Sequence, residues 1–228
     1  NVGVNRTQYM MGGLSAEEVN QMADEAYQET LAEAKKQGLL NTNAATVRRL
    51  NTIAAELIKE VPNFRADASS WDWEVNLIKD DQLNASCAPG GKILFYSGII
   101  DRLELSDDEI AQIMGHEIAH ALREHGAERA GKSVAANLAV RAAALFAEYK
   151  GYDGRMVEGV GSAGANLAML KFSRDDETEA DIVGLDIAAR AGYDPRAGVA
   201  LWQKMGYVNK NSPPKWLSTH PAGKDRIN

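Results

Sequence analysis

The sequence predicts a mainly helical α+β domain with a small β-sheet beside a central helix. Over most of the chain, apolar residues recur at three- and four-residue spacing, as in amphipathic helices. Between residues 71 and 96 the period changes to two, as in half-buried strands. With 228 residues, 45% of them hydrophobic, the chain can bury one sizeable core.

Two scaffold helices are predicted in the first 60 residues. Residues 1–13 are polar and glycine-containing, so we expect an extended arm there and a single domain over residues 14–228. Ser15-Ala16-Glu17-Glu18 has the form of a capping box, which begins a helix that ends at Gly38. A second helix runs from about Thr46 and stops before Val61-Pro62. Their apolar stripes are Val19, Met22, Ala26, Leu31 and Ala34, and Val47, Leu50, Ile53, Ala54 and Leu57.

Three short strands follow these helices. Trp73, Val75 and Leu77 alternate with polar neighbours, and residues 83–87 and 92–96 predict two more strands. Pro89-Gly90-Gly91 predicts a tight turn between the last two. A small sheet should therefore precede the next helix.

The second half of the chain is predicted to be helical. Residues 134–149 are alanine-rich, but Asn137 and Arg141 interrupt them, which favours an internal or surface helix over a membrane span. Residues 159–164 fit G-x-G-x-x-G without a preceding strand, which favours helix packing over dinucleotide binding. Ser173-Arg174-Asp175-Asp176 and Asp194-Pro195 begin two more helices. Their apolar residues are Ala180, Ile182, Leu185 and Ala189, and Val199, Leu201, Trp202 and Met205.

Charge and cysteine content exclude some partners. The net charge is −7 and no basic stripe is present, which argues against nucleic acid. Cys87 is the only cysteine, so it cannot form an internal disulfide.

Because the chain begins at Asn1 without an initiator methionine, we expect that a leader was removed. Such a leader could attach the protein to a membrane peripherally or through a lipid.

The central helix carries the strongest chemical pattern, Gly115-His116-Glu117-Ile118-Ala119-His120. Ser106-Asp107-Asp108-Glu109 forms a capping box before it, with acidic residues in the first turn. Two imidazoles four residues apart share a helix face and can bind one metal ion. Glu117, rotated by about 100°, can then act as a base beside the metal.

A catalytic zinc ion needs a third protein ligand. His125 lies nine residues after His116, whereas the longer metzincin motif has its third histidine ten residues after the first. His125 is better suited to a helix C-terminus. Glu177 is the stronger candidate, because Asp181 shares its helix face and can bind the N–H of a ligating histidine. Glu179 should point away from the metal. The alternative for this acidic cluster is a solvated helix start.

Three successive motifs resemble those of the zinc peptidases related to HtpX and the CAAX prenyl proteases. These enzymes form the gluzincin family that is numbered forty-eight among the metallopeptidases. The three motifs are the His116 motif, Glu177-Thr178-Glu179-Ala180-Asp181, and Ser218-Thr219-His220-Pro221 with Arg226. The resemblance implies a zincin-like fold and one zinc ion per chain, bound by His116, His120 and Glu177. It implies that Glu117 is the general base and acid, that Asp181 supports a ligand, and that His220 and Arg226 approach the active site.

The length is similar to that of short LoiP-like envelope proteases, which implies a bacterial periplasm or envelope and a possible outer-membrane lipoprotein. We expect an endopeptidase that binds unfolded or misfolded polypeptides in extended form along an edge strand within residues 83–96. His220 or Arg226 would stabilise the oxyanion. We further hypothesise that His220 can occupy the open zinc position and keep the enzyme latent.

Two other classes of protein remain as alternatives. A catalytically quiet zinc-binding chaperone or adaptor would hold extended chains at the same strand, and Glu117→Ala would leave its function intact. A metal-free helical domain with an accidental motif would bind no zinc and would be unaffected by a chelator.

Overall fold

The computed structural model describes residues 15–123, 174–207, 216, 217 and 220. Within these ranges a three-stranded sheet packs between helices, so the mainly helical α+β prediction is confirmed. The helices are α1 (Ala16–Lys36), α2 (Ala44–Ile58), α3 (Ser97–Asp101), α4 (Asp107–Leu122), α5 (Arg174–Arg190) and α6 (Ala197–Tyr207). The strands are β1 (Glu74–Ile78), β2 (Ala85–Ala88) and β3 (Lys92–Tyr96), and two short 3₁₀ helices cover Val61–Asn63 and Ala66–Ser70.

Side-chain caps begin α1 and α4 where the sequence predicts them, and α2 begins two residues before the predicted Thr46. In both capping boxes, at Ser15 and Ser106, the serine hydroxyl accepts the N–H of a glutamate three residues later, whose carboxylate accepts the serine N–H. Asn43 caps α2 in the same way, since its Oδ1 accepts the N–H of Thr46 at 3.2 Å. The cap at Ser106 fixes where α4, the helix of the histidine pair, begins.

Strand β3 occupies the centre of the sheet. It pairs in parallel with β1 and antiparallel with β2, giving the order β1-β3-β2. The turn between β2 and β3 contains Gly90 and Gly91, whose φ angles of 86° and 92° favour glycine. Within the segment predicted to offer a binding edge, β2 alone lies at an edge of the described sheet, because β3 is paired on both sides.

The sheet is covered on both faces. Leu77, Ala85, Ile93 and Phe95 belong to the main core, which α2, α4 and α5 complete. The opposite face contributes Ile78 and Leu94, which pack with residues of α1. The α1 stripe differs by one residue from the predicted one, because Tyr27 is buried while Ala26 is exposed.

Helix α4 is enclosed on all sides, since its residues from Glu109 to Leu122 are all buried. Its closest neighbour is α5, and the two backbones meet at Gly115 and Gly184. A Cβ atom built on Gly184 would lie 2.7 Å from the backbone nitrogen of His116, and one on Gly115 would lie 2.8 Å from the carbonyl oxygen of Gly184. Only glycine permits this approach, which brings α5 within reach of the histidine pair.

Several apolar residues of α5 and α6 are exposed. Ile182 and Leu185 are 42% and 43% exposed, and Val199 is 51% exposed. The buried apolar side of α5 consists of Ala180, Val183, Ile187 and Ala188. Acidic residues of its first turns are buried instead, since this end of α5 faces the histidine pair.

Several sequence predictions lie outside the described residues. These are the arm over residues 1–13, the alanine-rich helix over 134–149, the glycine-rich segment 159–164, and His125. In the part of the chain that the structure describes, no helix combines the length and apolar character that crossing a membrane requires.

Candidate metal centre

Helix α4 presents two imidazoles to one point. His116 and His120 lie one turn apart, and their Nε2 atoms are 3.1 Å from each other. Both are buried, with 5% and 2% of their surface exposed. Helical spacing alone explains this pairing.

Helix α5 brings Glu177 to the same point. Its Oε2 lies 3.1 Å from Nε2 of His116, and its Oε1 lies 3.0 Å from Nε2 of His120. Glu177 is fully buried. Tetrahedral zinc with bonds of about 2.05 Å separates its ligand atoms by about 3.3 Å. The three side chains therefore have the donor types and spacing that fit a zinc ion.

Asp181 lies one turn after Glu177. Its Oδ1 is 3.0 Å from Nδ1 of His116, the ring nitrogen that does not face Glu177. Burial alone would lower the pKa of His116, but the carboxylates of Asp181 and Glu177 outweigh it and raise that pKa to about 9. A metal-bound imidazole has its coordinating nitrogen deprotonated, so metal binding here must displace a proton.

Glu117 follows His116 directly and is buried. Its Oε1 lies 2.9 Å from Nε2 of His220. Burial alone would raise the pKa of Glu117, but the adjacent imidazole of His220 and those of His120 and His116 hold it below the usual range. Glu117 is therefore ionised at neutral pH, the form that a general base requires.

His220 lies against the same cluster. Its Nδ1–H donates to the carbonyl oxygen of Trp216 at 2.9 Å, which leaves Nε2 directed towards Glu117. Ligand atoms of His116, His120, Glu177 and His220 all lie within 4.8 Å of one another. The structure thus brings His220 to the other predicted residues, whereas Arg226 lies outside the described residues.

Trp216 is a residue of this site that the sequence prediction missed. Its indole Nε1–H donates to Oε1 of Glu117 at 2.6 Å, and its ring stacks on His220 with centroids 4.3 Å apart. The available signal was an aromatic residue four positions before His220. Glu179 lies outside the cluster, as the prediction requires, but it is buried rather than solvated and accepts the Nε–H of Arg123 at 3.2 Å.

The α+β fold, the histidine pair on a buried helix and the carboxylate from a second helix together define a domain of the metallopeptidase class. The model of peptidase family M48 matches residues 44–228. The chain belongs to this family, which confirms the family-level prediction made from the three motifs.

Three curated relatives show how much of a longer protein this chain covers. It is 37% identical to the mitochondrial metalloendopeptidase OMA1 of Arabidopsis thaliana over 154 residues, which cover 68% of this chain and 30% of the relative. The protein of the same name from Schizosaccharomyces pombe is 30% identical over 210 residues, 90% of this chain and 58% of the relative. The beta-barrel assembly-enhancing protease of Yersinia pestis is 27% identical over 192 residues, 78% and 37% respectively. The chain spans less than two thirds of each of these relatives.

Proposed function

We propose that this domain is a zinc-dependent endopeptidase that binds one zinc ion through His116, His120 and Glu177. The observation that carries the proposal is the buried cluster of two imidazoles and one carboxylate with separations of 3.0–3.1 Å. Asp181 orients His116 through Nδ1 and makes it a better ligand. Membership of peptidase family M48 supports the same activity.

A bound zinc ion would act as a Lewis acid, which would lower the pKa of water and polarise a carbonyl group. Glu117 takes the proton of the attacking water, because its carboxylate is ionised and adjoins the cluster. The same carboxyl group later delivers that proton to the leaving amine nitrogen. His220, or Arg226, donates to the oxyanion that forms at the scissile carbonyl.

His220 has a second proposed role, in latency. Its Nε2 belongs to the set of four ligand atoms within 4.8 Å, so it can complete a closed tetrahedral site. A zinc site with four protein ligands has no open position for water. Latency predicts that His220→Ala raises basal cleavage, whereas oxyanion stabilisation by His220 predicts that it lowers cleavage, so an unchanged or lower basal activity would contradict latency.

The proposed substrate is an unfolded polypeptide that lies extended along β2. This strand is at the edge of the described sheet, and it borders α4 near the cluster. Backbone pairing of this kind selects extended chains rather than particular sequences. The proposed location is a bacterial envelope, which the likeness to the beta-barrel assembly-enhancing protease of Yersinia pestis supports, whereas the OMA1 relatives are named as mitochondrial.

Metal analysis combined with digestion of casein tests the activity. Glu117→Ala should keep zinc and lose cleavage, whereas Glu177→Ala should lose both. Glu25→Ala, on the exposed surface of α1, is a matched control and should retain both. Cleavage that persists in either site variant would contradict the assignment. Persistent binding of unfolded chains without cleavage in the wild type would favour the chaperone alternative.

A further inference from the structure

Trp216 is attached to three parts of the site at once. Its backbone N–H donates to the carbonyl oxygen of Leu83 at 2.9 Å, just before edge strand β2. Its ring stacks on His220 with an interplanar angle of 11°. Its indole Nε1–H reaches Oε1 of Glu117 at 2.6 Å. With 2% of its surface exposed, Trp216 is part of the main core, so its indole is fixed.

We propose that Trp216 is a positioning residue that holds the carboxylate of Glu117 in the orientation its proton transfers require. This inference rests on the proposed peptidase function. A carboxylate on a flexible glutamate side chain must lose rotamer freedom to act repeatedly at one place. A charge-assisted hydrogen bond from a buried, immobile donor removes that freedom at one oxygen and leaves the other oxygen for the proton of the attacking water.

The indole also stabilises the ionised form of Glu117 where water does not reach it. Glu117 is 2% exposed, and a buried carboxylate without donors is costly. His220 faces the same oxygen at 2.9 Å. If His220 is drawn away from Glu117, the anchor at Leu83 and the core packing keep the indole in place. Trp216 thus supplies a donor that does not depend on the position of His220.

Trp216→Phe separates the donor from the ring, because phenylalanine retains stacking and most of the volume but has no N–H. We expect kcat for a casein-derived peptide to fall about 10- to 100-fold, the range for partners that orient active-site groups. KM and bound zinc per chain should stay within twofold. The matched control is Trp73→Phe, which removes an indole donor that binds the carbonyl oxygen of Ala68 at 2.9 Å. It should leave kcat unchanged.

A purely structural tryptophan would tolerate phenylalanine, so an unchanged or increased kcat in Trp216→Phe would overturn the proposal. A loss of zinc that matches the loss of kcat would also overturn it, because the indole would then support the metal rather than the base.

A second readout uses chelator-treated protein and needs no activity. Trp216→Phe should lower the melting temperature by about 2–4 °C when Glu117 is present. In the Glu117→Ala background the shift should fall by at least half. Equal shifts in both backgrounds would refute the contact. If the wild type does not cleave, the peptidase proposal fails, and this cycle still tests whether Trp216 holds Glu117.

Discussion

Replacing Gly184 with alanine tests whether the metal centre depends on the backbone contact between α4 and α5. The new Cβ would lie 2.7 Å from the nitrogen and 2.8 Å from the Cα of His116, and ordinary contact begins at 3.4 Å. Both partners are backbone atoms of a buried helix, so no side chain can rotate to relieve the clash. The helices must separate by about 3.4 − 2.7 = 0.7 Å at this point.

That separation acts directly on the ligand geometry. His116 and Glu177 come from opposite sides of the contact, and their atoms are 3.1 Å apart. Moving them 0.7 Å apart would give 3.8 Å. Zinc bonds tolerate deviations of about 0.2 Å, so the site must distort or lose a ligand. We expect zinc affinity to fall about 10- to 100-fold and the metal-free protein to lose about 1–3 kcal/mol of stability through overpacking.

Competition with a chromophoric chelator measures the affinity, and thermal unfolding of chelator-treated protein measures the stability. Gly206→Ala in α6 is the matched control, because no atom lies within 4 Å of its Cβ position. It should keep wild-type zinc affinity and gain up to about 1 kcal/mol from helix propensity. Wild-type zinc affinity in Gly184→Ala would refute the view that this contact sets the position of Glu177.

Two further changes test the support of the site and of its helix. Asp181→Asn should lower zinc affinity about 10-fold while leaving the fold intact, because His116 loses a charged partner at 3.0 Å; the same chelator competition measures it. Glu109→Gln should cost about 1–2 kcal/mol in urea denaturation at pH 7, because Oε1 of Glu109 accepts both Lys204 Nζ at 2.6 Å and the N–H of Ser106 at 3.0 Å. Burial opposes ionisation of Glu109, but Lys204 and Ser106 hold its pKa below the ordinary value. The stabilisation is therefore present above the unfolded pKa of about 4.3 and is lost as pH falls through the folded value, so wild type and variant should converge in acid.

Local signals predicted the helices best. The capping boxes at Ser15 and Ser106 begin α1 and α4 in the structure, and residues 92–96 form β3 as predicted. The four-residue spacing of His116 and His120 places both imidazoles at one point because helix geometry is the same in any context.

Tertiary features were less accessible. Strand β3 is central because it pairs with β1, although β2 lies between them in the sequence. The alternation of apolar residues does not specify which strands pair. On α5, the apolar residues Ile182 and Leu185 are exposed while Glu177 is buried beside the histidines, so hydrophobicity alone does not identify the buried side of this helix. Trp216 and Glu117 are 99 positions apart in the sequence, and no local sequence pattern predicts their contact.

The meeting of α4 and α5 also has a consequence for unfolding. An ion bound by both His120 and Glu177 would act as a cross-link that closes a loop of 177 − 120 = 57 residues. Because the site would not persist in the unfolded chain, the ion would stabilise the folded form by mass action, by about 4 kcal/mol when its free concentration is about 1,000 times its dissociation constant. The ion would therefore stabilise the fold as well as take part in the chemistry, and its removal should lower the melting temperature of the whole domain, because α4 and α5 share one core.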